Sequence, residues 1–484
     1  MSIAFFSVAD VRGIAEPAKA LSANGWQIQA EGEALKALEK ARVAVAKATL
    51  AQGSKADLLF LNLPLKGLDE KAAAQTAPRA ALIRKSACAA KKRPVVACAD
   101  LYAEAAACAK NGPDAETVRR WSVLAVRHLA AYDAALDVAL SREVLGEEVL
   151  HLEYTDGAVL RYGENGHQKA VFYKEKGWTE SSLANARQLH GKELSYNNIV
   201  DADAALEMMR EFSGQPAVAI IKHLNPAGLA TGTTLEEAFE AAWSGDPVSA
   251  FGSVIACSQK VDLATALRLK GRFVEILLAP GFDADALEFL RGKSKDIRLL
   301  EIDNVEAARP CPVYKHVIGG MLAQDRDVET IKEWRCVTKT PFPKEKEALA
   351  RFTWVVTKYT KSNAIVMGME YKPGCFKVLG LGPGQPNRID SNLRLCQPRV
   401  RDNVARMELP EGTTLAEYTH QVFSGLVMGS DAFFPFSDNV DAAADAGVKL
   451  IVQPGGAKRD EEVIARCDEL GVAMIFTGMR HFRH

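Results

Sequence analysis

Read from its start, the chain alternates short apolar runs with stretches of helical spacing. Residues 4–8 (AFFSV) read as a strand. Residues 13–24 read as a helix, because Ile14, Ala18 and Leu21 fall on one face. Residues 26–29 are a second strand candidate, 58–63 (LLFLNL) a buried strand and 94–97 (PVVA) another. Strands alternating with helices predict a small α/β sheet domain. The alanine-rich stretch 103–140 predicts two helices, an outer layer and a connection. Around 146–159 the texture changes. Beyond it Gly, Pro, Asn and aromatic residues cluster in polar motifs between short apolar strands. A boundary is expected at 142–155, dividing the chain into 1–145 and 146–484. The second part exceeds one ordinary domain. It is expected to form two subdomains joined near 310–345, where Pro310, Pro312, Pro341 and Pro343 fall.

Composition narrows the classes. The 484 residues include 60 Lys and Arg against 61 Asp and Glu, a net charge of -1. That balance gives no reason to expect sequence-independent nucleic-acid binding, which needs a basic face. Apolar residues make up 48%, enough for a large core. Nine dispersed cysteines form no C-x-x-C pair, which fits thiols in a reducing cytosol. The N-terminus lacks a basic stretch before an apolar run, so no secretory signal is expected. No apolar run approaches the ~20 residues that span a bilayer. A cytoplasmic protein with neither nucleic-acid nor membrane partners is expected.

Five segments carry candidate chemistry. LRYGENGHQ at 160–168 crowds hydrogen-bonding groups around two glycines, and its Arg161 suits bidentate phosphate contact. The same stretch alone is also what a solvated loop looks like. AIIKHLNPAG at 219–228 runs an apolar strand into Lys222 and His223, the strand-end place that active sites favour. An ammonium next to an imidazole keeps it available as a base. GDPVSAFG at 245–252 is a turn-rich polar loop. KYTKSN at 358–363 is followed by GLGPGQPNR at 380–388, whose alternate glycines would allow close backbone approach to a ligand. Gln385 stands where the G-x-G-x-x-G dinucleotide pattern wants its third glycine, so that pattern is absent. SDAFFPFSD at 430–438 suggests a planar ring against phenyl groups with a carboxylate at its edge, or else a core aromatic turn.

Together these segments resemble one family, the AICAR transformylase/IMP cyclohydrolases of purine biosynthesis. The resemblance runs almost continuously from about residue 150 to 484. It includes GKELSYNN at 191–198, APGF at 279–282 and the stretch from QPGG at 453–456 to His484. It implies a methylglyoxal-synthase-like parallel-sheet domain followed by a two-subdomain cytidine-deaminase-like region. It implies formyl transfer from 10-formyltetrahydrofolate to the 5-amino group of AICAR. Lys222, His223 and Asn363 would be catalytic. Arg161, Tyr162, His167, Gly252, Gln385, Arg388, Phe433, Asp438, Arg480 and Phe482 would bind substrate. Thr360, Ser362, Asp431 and His484 would lie near a structural potassium ion. The partners implied are AICAR, folate and a second copy of the chain, with sites at the dimer interface. Arg161, Lys222, Arg388 and Arg480 would converge on one anionic nucleotide. There are departures: Gly166 stands where the family has proline, Pro386-Asn387 replaces the usual pair before the arginine, and Ser437 replaces a basic residue.

Residues 4–140 resemble the cyclohydrolase domain of the same family, through SVAD at 7–10 and AYDAA at 131–135. The pieces of its active site are not there. The phosphate-cradling Ser-Thr-Gly-Gly-Thr loop would fall at AEGEA, 30–34, which brings in two carboxylates. Ionised carboxylates repel phosphate and cannot donate to it. The Lys-Thr-Leu-His-Pro-Lys-Ile-His-Gly-Gly segment is missing between Val45 and Asp57. Pro64 stands in place of a tyrosine, Thr76 of an aspartate and Cys88 of a lysine. The expectation is a transformylase without cyclohydrolase activity, shortened in the lost site. Competing readings are a formyl-folate enzyme with another acceptor or running in reverse, and a non-catalytic nucleotide sensor.

Overall fold

The computed structural model describes residues 1–89 and 92–484. It divides into two compact units, Met1–Glu153 and Tyr154–His484. The first is built on a five-stranded sheet with every neighbouring pair parallel, in the order Val45–Lys47, Gln27–Ala30, Ile3–Ser7, Leu58–Leu61, Val95–Val96. Alternation along the central strands explains the unbroken apolar runs. Ala4, Phe6, Leu58 and Phe60 join one buried cluster with Leu21, Leu38 and Tyr102. Phe5, Leu59 and Leu61 join another with Ile83, Leu129 and Tyr132. A sheet covered on both faces needs apolar side chains at every position.

The expected 13–24 helix is Ala15–Ala23, with Ala18 and Leu21 buried. The 103–140 stretch is two helices, Tyr102–Ala107 and Ala115–Leu140, the second capped by Asp114 on the Thr117 N–H. Several elements were not read from the sequence, the short helix Leu50–Gly53 among them. Helix Gly32–Lys40 begins inside the stretch taken for a degenerate loop. Helix Glu70–Cys88 is alanine-rich and contains Pro78, which blurs its period. Strand Val45–Lys47 has three residues, too few for alternation to register.

The second unit is carried by a mixed sheet of twelve strands. One half comes from residues 187–301 and the other from 335–476. They meet where Asn225–Thr231 runs antiparallel to Cys375–Gly382, through Ala230 opposite Lys377. Between the halves in sequence lies the hairpin Pro312–Val317 and Gly320–Asp325. Helix Tyr196–Arg210 packs on the first half. It starts with a capping box between Ser195 and Asn198 and buries Ala202, Ala205, Leu206 and Met209 at helical spacing. A buried ion network anchors its far end. Arg210 pairs with Glu180 at 3.0 Å and with Glu207, while Arg326 from beyond the hairpin pairs with the same two carboxylates.

Candidate active site

The strand Ala217–Lys222 is buried through Ile221 and reverses into Asn225–Thr231 through His223 and Leu224 alone. Both turn residues have positive φ, +51° and +64°. A two-residue hairpin of this hand normally takes Asn-Gly. A branched and an aromatic side chain there mark strain held by surrounding structure, which is common at functional sites. The supports are visible. The Leu224 N–H donates to Asp201 Oδ1 at 2.8 Å, from helix Tyr196–Arg210. Asn225 Nδ2 donates to the His223 carbonyl, and Asn225 Oδ1 accepts from the Lys361 N–H. The His223 imidazole is exposed and has no hydrogen-bond partner among the described residues. Lys222 Nζ donates to the Gly252 carbonyl at 2.8 Å. Gly252 has φ +67°, and a Cβ there would meet the Phe273 ring at 3.2 Å and Lys222 Nζ at 3.4 Å. The glycine is therefore required both by its backbone and by the lysine it holds.

Through Asn225, this turn is joined to the second half of the sheet. Lys361 accepts from the Gly384 N–H, and Asn363 Nδ2 donates to the carbonyls of Gln385 at 2.9 Å and Pro386 at 3.1 Å. The Ser362–Asn363 peptide is cis. Arg388 Nη2 donates to Asn363 Oδ1 at 2.8 Å and to Asp431 Oδ1 at 2.9 Å. Arg388 Nε is buried without a partner among the described residues, an open donor in an otherwise satisfied network. Lys361 is held below the ordinary lysine range by burial and by the nearby charges of Arg483 and Lys315.

The terminal residues dock here too. Ser362 donates its N–H to the Arg483 carbonyl, and the Arg483 N–H donates to Ser362 Oγ. Arg480 lies over the Phe482 ring at 4.5 Å, and Phe482 meets His484 at 5.8 Å. The 160–168 loop sits on the start of helix Tyr196–Arg210. Tyr196 N–H donates to Tyr162 O and Asn197 Nδ2 to Glu164 O. Arg161 is exposed over the Tyr162 ring, and His167 is exposed.

Some expectations change. Gly380 and Gly382 do not face a ligand: a Cβ on either would overlap the helix that follows, at Val400 and at the Ser391 carbonyl. Only Gly384, with φ +67°, stands in open space. In the aromatic segment Phe434 is core, Phe433 half-buried and Phe436 exposed. Asp438 opens helix Asp438–Ala446, accepts from the Asn439 N–H, and lines a cavity of about 540 Å³ with Leu393 and Arg401. Each of the four residues named for potassium makes contacts within the protein. Thr360 Oγ1 donates to Val356 O, Ser362 Oγ to Asp431 Oδ2, Asp431 Oδ1 accepts from Ala364 and Arg388, and His484 packs on Phe482.

The structure also shows residues that sequence reasoning passed over. Asn198 Nδ2 donates to Glu275 Oε2 at 2.9 Å, and buried Arg298 donates to the Glu193 carbonyl and faces Glu275 at 3.5 Å. This trio lies beneath Arg161 and Tyr162, whose charges act on Arg298. Asn198 stood inside GKELSYNN, but a capping residue gives no sign of a second partner 77 positions away.

In the first unit the equivalent strand-end position is filled. Glu31, between strand Gln27–Ala30 and helix Gly32–Lys40, accepts from Ser7 Oγ at 2.5 Å. Arg79 donates to Ser7 Oγ and to the Asn62 carbonyl. Thr76 and Tyr132 share a hydrogen bond at 2.5 Å, and Cys88 is exposed at the end of its helix.

A two-part mixed sheet with a Lys-His pair at a strand end defines an α/β enzyme. Comparison with known proteins places it further. The AICARFT/IMPCHase bienzyme family matches residues 89–396. A bifunctional purine biosynthesis protein PurH of Lactococcus lactis is 44% identical over 367 residues, covering 74% of this chain and 66% of its own length. PurH of Lactobacillus delbrueckii is 45% identical over 377 residues, covering 76% and 68%. PurH of Streptococcus pneumoniae serotype 19F is 42% identical, again covering 76% and 68%. The chain belongs to the AICARFT/IMPCHase bienzyme family, and so to the AICAR formyltransferase enzymes of purine biosynthesis. It spans about two thirds of the length of these relatives. No helix among the described residues is long and apolar enough to cross a membrane.

Proposed function

We propose that the chain transfers the formyl group of 10-formyltetrahydrofolate to the 5-amino group of AICAR, giving FAICAR, and that it does not close FAICAR to IMP. The observation that carries the first half is the His223 imidazole, exposed on a strained turn without a hydrogen-bond partner among the described residues, beside a lysine pinned by a glycine carbonyl. The AICAR amine is a weak nucleophile, since its lone pair is delocalised into the ring. Attack on the formyl carbon therefore needs orientation and proton removal together. His223 takes the amine proton as the new C–N bond forms. Lys222 stabilises the developing oxyanion. The bond to folate nitrogen then breaks, and that nitrogen is protonated. Asn363 holds Arg388 and the 385–386 carbonyls in place beside the reaction. Arg161, Tyr162, His167, Phe433, Asp438, Arg480 and Phe482 bind the nucleotide, and Gly252, Gln385 and Arg388 complete the site.

The second half rests on the filled position in the first unit, where the Glu31 carboxylate occupies the Ser7–Arg79 corner. Phosphate would meet like charge there. We further propose a homodimer with sites at the subunit interface, working in the cytoplasm. The test is initial rates with AICAR and 10-formyltetrahydrofolate for the wild type and His223→Ala. The variant is expected to lose about 10²–10⁴-fold in kcat. Unchanged activity would refute the assigned base. Purified protein given FAICAR is expected to form no IMP.

A further inference from the structure

The last five residues alternate in direction. His481 is buried and Arg483 half-buried, while Arg480, Phe482 and His484 are exposed. The inward pair is gripped at several points. His481 Nδ1 lies 2.7 Å from Asp327 Oδ2, and Nε2 lies 3.1 Å from the Thr330 carbonyl. A carboxylate and a carbonyl only accept, so the ring meets either one as a donor. The Trp354 ring packs on the imidazole at 5.4 Å, and its Nε1 donates to the same Thr330 carbonyl at 2.6 Å. The His481 N–H donates to the Asp431 carbonyl. The Arg483 guanidinium lies over the Tyr359 ring at 5.1 Å. Asp327 is pushed up by burial, but the His481 hydrogen bond and the charges of His481, Lys358 and Arg483 outweigh this and leave it below the usual carboxylate range. On the outward face Arg480 lies over the Phe482 ring and has no carboxylate partner among the described residues.

From this geometry we propose that His481 is a positioning residue: clamped between Asp327 and Thr330, it holds the terminal segment in the alignment that turns Arg480 and Phe482 outward onto the nucleotide. The proposal rests on the formyl-transfer reading for what Arg480 and Phe482 touch, while the clamp itself stands independently. Period-two alternation makes the coupling direct. A slip of one residue would turn Arg480 and Phe482 inward.

Two full-length variants test it. His481→Phe keeps a ring against Trp354 and removes both ring nitrogens. Asp327→Ala removes the acceptor at a half-exposed position. Each is expected to raise the KM for AICAR about tenfold, with kcat and the KM for 10-formyltetrahydrofolate held within about twofold. The double variant should lose little beyond either single one, as for two halves of one contact. An unchanged KM for AICAR, or kcat and melting temperature falling together, would overturn the proposal. If the wild type does not turn over AICAR, the formyl-transfer reading fails and the clamp is still read by carboxypeptidase. Faster release of His484 and Arg483 from His481→Phe supports it, and equal release overturns it.

Discussion

His223 stands at φ +51°, in a region that costs a non-glycine residue roughly 1–2 kcal/mol. If that strain serves catalysis, stability and activity should move in opposite directions at this position. His223→Gly is expected to raise the urea midpoint by relieving about 1 kcal/mol while abolishing formyl transfer. Gly252→Ala should do the reverse damage, since the added methyl meets Phe273 and displaces Lys222. A loss of about 1–2 kcal/mol in unfolding free energy, with a matching fall in kcat, is the expected pattern. A third residue reports on burial alone. Lys377 is 9% exposed, donates to Ser244 Oγ, and is pushed down to about 8 by desolvation. Its folded value lies below its unfolded value of 10.5. The unfolded chain therefore binds more protons between about 8 and 10.5, and stability rises with pH through that window. Lys377→Met is expected to be more stable than the wild type at pH 7, by of order 1–3 kcal/mol, and to lose that advantage as pH climbs through the window. Denaturant titrations at pH 7 and 10 check it.

At the scale of elements, the hairpin that presents His223 and Lys222 is what sequence reasoning read best. An unbroken apolar strand ending in two polar residues is legible because burial and exposure are written in residue type. The glycines of 380–384 were read less well. Glycine marks a close approach, but its own sequence does not say whether a ligand or a helix approaches, and here it is the helix. Helix Glu70–Cys88 was missed because alanine fits either face. The ion network of Glu180, Glu207, Arg210 and Arg326 was invisible for another reason: its members lie far apart in sequence and share a site only once the hairpin folds over the helix. Breaking it should be costly, because Glu180 and Arg210 are each 3% exposed. Glu180→Ala is expected to lower unfolding free energy by about 3–5 kcal/mol, because buried Arg210 and Arg326 are then left to share the single carboxylate of Glu207. Chemical denaturation of the variant, with circular dichroism in buffer to show native content, measures this.

For the whole molecule, sedimentation should give a mass near twice 52.5 kDa if the proposed dimer forms. A net charge of -1 conceals unequal local charge. Arg388 is balanced by Asp431, whereas Arg161, Lys222 and Arg480 have no carboxylate partner among the described residues. Sequence alone determined the family, the class of chemistry and the central strands of the first unit, because side-chain types and the period of burial are local properties. It also marked the first unit as altered, since carboxylates at 31 and 33 declare themselves in one line of text. Tertiary structure decided what those residues do. It placed Glu31 against Ser7 and Arg79, drew Asn225 to Lys361 across 136 positions, and turned His481 inward while leaving Arg480 outside. Such pairings depend on sheet register and on which face of an element is covered, and neither exists until distant segments pack.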